Sequence, residues 1–172
     1  MVNIANKIST FRILSVPFFI ASLIYYSEGR NFLRFIALAI FILAAISDAA
    51  DGYIARKSKQ QSKAGLVLDP LGDKLLLMSA FICLTVNSNL AVRFPLWVTI
   101  VVISRDVLII LGSIVIYIVK QNINMIPTKW GKFSTTFQML AVISILIQIK
   151  YSFVFWWIAV IFTVISGIVY IN

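Results

Sequence analysis

Six apolar runs fill almost the whole of this 172-residue chain, each close to the roughly 20 residues that an α-helix needs to cross a bilayer. They extend to about Tyr26, from Leu33 through Asp48 towards Arg56, from Gly65 to Val86, from Pro95 to Val119, from Phe133 to Ile149 and from Phe153 to Ile171. In hydrocarbon every backbone amide has to be satisfied within the chain, so apolar runs of this length predict helices. The expected fold is all-α: a polytopic membrane protein of six transmembrane helices forming a single domain over residues 1–172, with no room left for a soluble domain. At 61% hydrophobic and 12% charged, the chain has about half the charged fraction of a soluble protein.

Against that background the placement of charge is informative. Four of the six acidic residues, Asp48, Asp51, Asp69 and Asp73, lie within one stretch of 26 positions between two apolar runs. Ionisable groups there are costly and point to function. Asp48 and Asp51 are three apart, and Asp69 and Asp73 four apart, so each pair shares one face of a helix. Two antiparallel helices joined by the polar turn at Lys57–Lys63 bring the pairs together. Four converging carboxylates require a cation to remain ionised in a low-dielectric site, and hard oxygen donors suit Mg²⁺ or Mn²⁺. The chain contains no histidine, which removes histidine general-base and histidine–zinc chemistry and leaves carboxylates as the acid–base groups.

The net charge of +9 is spread over short loops between apolar runs. It therefore speaks for cytoplasmic loops and anionic lipid headgroups rather than nucleic acid. With the aspartate-bearing turn inside, the cytoplasmic side holds Lys7, Arg12, Arg56, Lys57, Lys59, Lys63, Lys120, Lys129 and Lys132, against Arg30, Arg34, Arg93 and Lys150 opposite. That balance predicts cytoplasmic termini and an active site facing the cytoplasm. Trp97, Trp156 and Trp157 sit near span ends, as an interfacial aromatic belt requires. The single cysteine, Cys83, excludes an internal disulfide. Lys7 and Arg12 ahead of an apolar run also fit a signal peptide, but Pro17 interrupts that run and no small-residue cleavage site follows. Arg105 and Asp106 stand in mid-span, where neighbours diverge by about 100° around the helix and need not pair with each other.

The stretch D-A-A-D-G-Y-I-A-R-K-S-K-Q-Q-S-K-A-G-L-V-L-D-P-L-G-D resembles the signature of the CDP-alcohol phosphotransferases, D-x-x-D-G-x-x-A-R-x8-G-x3-D-x3-D. All eight fixed positions are met, at Asp48, Asp51, Gly52, Ala55, Arg56, Gly65, Asp69 and Asp73. Intramembrane prenyltransferases also pair aspartates around Mg²⁺, but they use about nine spans and two well-separated motifs. The amino end, with Asn3, Asn6, Ile8, Ser9, Arg12 and Pro17, is similar to that of bacterial members. It implies a short interfacial helix before the first span and residence in a bacterial inner membrane.

The resemblance implies transfer of a phosphatidyl group from CDP-diacylglycerol to an acceptor hydroxyl with release of CMP. It assigns Asp48, Asp51 and Asp69 as the main metal ligands. Asp73 lies beside the metal as the base, and Gly52, Ala55, Arg56 and Gly65 contact the CDP moiety. It also implies a homodimer. For the acceptor, Arg105 and Lys132 match basic residues that hold the acceptor phosphate in the family's phosphatidylglycerophosphate synthases. Two further cations of those enzymes are replaced here by Ser113 and Ser134. Glycerol 3-phosphate is the first expectation for the acceptor and phosphatidylglycerol, as in the family's cardiolipin synthases, the second. Restoring cations at Ser113 and Ser134 is expected to lower the KM for glycerol 3-phosphate. A non-catalytic lipid-binding scaffold is the remaining alternative, opposed by the complete aspartate set.

Overall fold

The computed structural model describes the backbone of residues 4–58, 65–120 and 129–171, and the side chains of residues 12–47, 74–112 and 130–170. The described residues form six α-helices and no strand: α1 (Ile4–Ile24), α2 (Asn31–Ser58), α3 (Gly65–Val86), α4 (Leu96–Lys120), α5 (Lys129–Leu146) and α6 (Ser152–Ile171). Two boundaries differ from expectation. α1 is continuous from Ile4 through Pro17, so no break separates a short amino-terminal helix from a first span. α5 begins at Lys129, which puts Lys129 and Lys132 on a helix rather than in a loop. Of the described residues, one segment, Ser152–Tyr170, is long and apolar enough to cross a membrane by length and composition.

α1 packs on α2 and α3, α5 on α6, and α6 on α4, while α5 also meets α2 and α3. Helical periodicity selects the buried faces: Phe19 and Leu23 on α1, Ala37, Phe41 and Ala44 on α2, and Leu77, Ala80, Phe81 and Leu84 on α3, with Tyr26 buried just beyond α1. Phe81 stacks on Phe94 with ring centroids 4.4 Å apart, and Phe19 meets Phe41 at 5.9 Å.

Hydroxyls are buried between the helices, while many large apolar side chains face outward. Ser15, Ser22, Thr99, Ser134, Ser144, Thr163 and Ser166 are buried, whereas Phe18, Ile24 and Leu96 are each about two-thirds exposed or more (69%, 69% and 65%). Small polar residues permit close helix approach and hydrogen-bond across helices. Thr85 and Thr99 do so at 2.5 Å between α3 and α4.

At the end of the bundle remote from the aspartate stretch, side chains close the helix termini. Asn87 donates to the Leu23 carbonyl (2.7 Å) and Asn89 to that of Tyr26 (2.9 Å), satisfying carbonyls left orphaned at the end of α1. Two residues beyond the end of α5, Gln148 takes φ 62°. The Ile149 amide reaches Ser144 and the Gln148 amide reaches Ile145, the paired bonds of a Schellman ending. A left-handed non-glycine residue is unusual there. Its side chain offsets the cost by bonding both the amide and the carbonyl of Val92, at 2.8 and 3.0 Å. Trp97, Trp156 and Trp157 gather at this end, with centroids 5.2–5.5 Å apart.

Candidate functional site

Asp48, Asp51, Gly52, Ala55 and Arg56 fall in the C-terminal half of α2, and Gly65, Asp69 and Asp73 in the N-terminal half of α3. Both segments are helical, so the three- and four-residue spacings put each aspartate pair on a common face. The side chains of these eight residues, and that of Ser113, lie outside the described residues. Among the described residues, no group of three or more potential metal ligands comes together. The helix register and the all-oxygen donor set fit a hard divalent cation.

The described part of the site begins at the next residue, Lys74. Its Nζ donates to Asp106 Oδ1 on α4 at 2.8 Å, and Arg105 Nη1 donates to the same oxygen at 2.7 Å. Arg105 Nη2 donates to Ser166 Oγ on α6. Asp106 is fully buried, and the side chains of Arg105 and Lys74 are 8% and 13% exposed. Adjacent positions on α4 thus do pair, because the long arginine side chain folds back to the neighbouring carboxylate. Two groups inside this cluster keep buried atoms without a hydrogen-bond partner: Arg105 Nε and Asp106 Oδ2. Gly167 sits beside the arginine stem, where an added Cβ would lie 3.7 Å from Arg105 Cγ.

The other acceptor candidates are distributed differently. Lys132 on α5 is exposed. Ser134, two residues on, is fully buried and bonds Thr163 on α6 at 3.0 Å. Gln138 Nε2 donates to Thr163 Oγ1 (2.9 Å) and to Ser134 Oγ (3.3 Å). Ser134 therefore closes the α5–α6 seam, and a lysine placed there enters a packed contact rather than an open anion site. Arg12, expected at the polar amino end on the cytoplasmic side, is buried within α1 at 1% exposure.

Lys74 and Ser166 were not legible as site residues from motif spacing. A charge inventory exposes Lys74: it and Arg105 are the two basic residues that the count of cations on the two membrane faces leaves unassigned, and Asp106 is the one carboxylate of the apolar runs outside the motif. No comparable signal distinguishes Ser166 from Ser152 and Thr163, the other serine and threonine of α6.

Comparison with known proteins agrees with the motif. A family model described as CDP-alcohol phosphatidyltransferase matches residues 2–165. A Bacillus subtilis CDP-diacylglycerol–glycerol-3-phosphate 3-phosphatidyltransferase is 34% identical, the match covering 97% of this chain and 92% of that protein. A Haemophilus influenzae protein of the same name is 32% identical over 81% of this chain and 72% of its own length. A Mycobacterium tuberculosis protein named "Probable phosphatidylglycerophosphate synthase" is 34% identical over 81% of this chain, which spans 64% of that relative's length. Similarity over this extent, with every fixed position of the aspartate motif retained, makes the chain a member of the CDP-alcohol phosphatidyltransferase family.

Proposed function

We propose that the protein is a membrane-embedded phosphatidyltransferase that transfers the phosphatidyl group of CDP-diacylglycerol to glycerol 3-phosphate, giving phosphatidylglycerophosphate and CMP. One observation carries this reading beyond family membership. Lys74, the residue after Asp73, is ion-paired to Asp106, the residue after Arg105. The end of the carboxylate motif and the arginine matched to an acceptor phosphate thus lie at one level of the bundle. The names of the Bacillus and Haemophilus relatives support glycerol 3-phosphate as the acceptor.

In this reading the acceptor hydroxyl attacks the lipid-bearing phosphorus. A new P–O bond forms, the pyrophosphate P–O bond breaks, CMP leaves with the electron pair, and Asp73 takes the hydroxyl proton. Arg56 holds a phosphate of the nucleotide through charge-assisted hydrogen bonds, and the absence of a side chain at Gly52 lets the ligand approach the backbone closely. Asp48, Asp51, Asp69 and Asp73 would hold Mg²⁺ or Mn²⁺, which supplies charge neutralisation at the phosphate oxygens. Arg105 and Lys132 bind the phosphate of the acceptor.

The outward apolar faces and inward hydroxyls support six membrane-crossing helices, with the aspartates facing the cytoplasm of a bacterial inner membrane and a homodimer as the working form. Ser113 and Ser134, in place of cations, favour phosphatidylglycerol as the second reading, because a phosphodiester carries a single charge. The test is purified protein given CDP-diacylglycerol with each acceptor in turn and the lipid product identified. Phosphatidylglycerophosphate is expected. Cardiolipin from phosphatidylglycerol, with no product from glycerol 3-phosphate, overturns the acceptor and leaves the reaction class standing. Absence of metal-dependent CMP release with every acceptor alcohol offered, inositol and serine included, overturns the enzyme reading in favour of a scaffold.

A further inference from the structure

We propose that Asp106 is a positioning residue: its carboxylate fixes Arg105 against the metal-bearing helix α3 and so sets how the acceptor's phosphate is held. The proposal rests on the reading above, in which Arg105 binds that phosphate.

Three features of the cluster carry it. First, both cations converge on one oxygen, Asp106 Oδ1, at 2.8 Å from Lys74 and 2.7 Å from Arg105. Among the described residues, the carboxylate is therefore the joint between α3 and the arginine. Because Lys74 directly follows Asp73, any movement of this joint changes the offset between the proposed base and the acceptor cation. Second, among the described residues the cluster has two positive charges and one negative, all at least 87% buried by side chain. An uncompensated buried charge is costly, and an anionic ligand supplies the missing negative charge. Third, the guanidinium is held on two of its three nitrogens, Nη1 by Asp106 and Nη2 by Ser166. Nε remains buried without a partner, as a donor kept for a ligand would be. A joint that served packing alone would be replaceable by apolar side chains of similar volume, since buried ion pairs contribute little net stability.

A double-mutant cycle with Arg105 separates positioning from bulk stability. Steady-state turnover is measured in detergent with CDP-diacylglycerol and glycerol 3-phosphate for wild type, Asp106→Asn, Arg105→Gln and the double variant. Asp106→Asn should raise the KM for glycerol 3-phosphate about tenfold or more, the scale of one charge-assisted hydrogen bond. The KM for CDP-diacylglycerol should stay within about twofold. In the Arg105→Gln background the same change should add less than about twofold, because its effect passes through the arginine. Asp106→Glu, which keeps the charge, should recover part of the loss. Multiplicative effects of the two single variants, or a parallel rise in both KM values, overturn the proposal. Should Asp106→Asn not give a monodisperse protein, the charge-balanced Asp106→Asn/Lys74→Gln variant takes its place in the cycle, and failure of both to fold assigns the cluster to stability and also overturns it. A wild type that turns over without coupling refutes this proposal alone. A wild type that releases no CMP with any phosphate-bearing acceptor refutes the functional reading on which it stands.

Discussion

Replacing Ser134 with lysine sets the family pattern against the packing. By motif, the change restores a cation and should tighten binding of glycerol 3-phosphate. By structure, it inserts an ammonium group where Ser134 is fully buried, 3.0 Å from Thr163 Oγ1 and 3.3 Å from Gln138 Nε2. Overpacking of a filled site costs about 1–3 kcal/mol, and an unpaired buried ammonium costs several kcal/mol more. The total, on the order of 4 kcal/mol or more, is a large part of the roughly 5–15 kcal/mol that holds a domain folded. At about 2–4 °C per kcal/mol for a chain of this size, the Tm should fall by about 10 °C or more. Thermal unfolding in detergent, followed by circular dichroism, reads this directly, with Ser134→Ala as the control that loses only the hydroxyl. The KM for glycerol 3-phosphate should not improve. A Tm within a degree or two of wild type together with a several-fold lower KM would refute the reasoning. It would mean that the lysine extends its stem out of the α5–α6 seam and delivers its charge to the acceptor.

Two further outcomes follow from the fold. Phe81 is fully buried against Phe94, so Phe81→Ala should lower stability by about 3–5 kcal/mol without a matching change in either KM, read by unfolding and by turnover of the folded fraction. With Cys83 replaced, single cysteines at Lys59 and Lys150 should label from opposite faces of the membrane in sealed vesicles. Labelling of both from the same face contradicts the six-span arrangement.

The helices were legible because long apolar runs bounded by polar residues mark their extent, and the ends of α3, α4 and α6 fall within a residue or so of where composition changes. α5 was less so. Lys129 and Lys132 look like loop residues by charge, yet a helix end rich in cations is stable wherever the side chains reach a polar phase, and Lys132 is exposed. The motif was legible because its eight positions are fixed in sequence spacing. The Lys74–Asp106–Arg105 cluster was not, since it is assembled from α3 and α4 and depends on which way an arginine side chain turns. Spacing along one helix describes where Cβ atoms point, and the ion pair between neighbours Arg105 and Asp106 is made farther out, by the flexible stem. Ser134 misled for a related reason: alignment to a lysine describes the motif position but not the partner helix, and Thr163 on α6 determines what that position can hold.

The central claim is that the aspartates of α2 and α3 form a divalent-metal site for phosphatidyl transfer. It is tested most directly by CMP release from CDP-diacylglycerol and glycerol 3-phosphate, measured for wild type and for Asp69→Asn, in Mg²⁺, in Mn²⁺ and in chelator. The account predicts release by wild type in either metal, none in chelator, and a loss of about a hundredfold or more in Asp69→Asn, the scale of removing a group that stabilises charge in the transition state. Turnover of Asp69→Asn near the wild-type rate, or undiminished release in chelator, would contradict it.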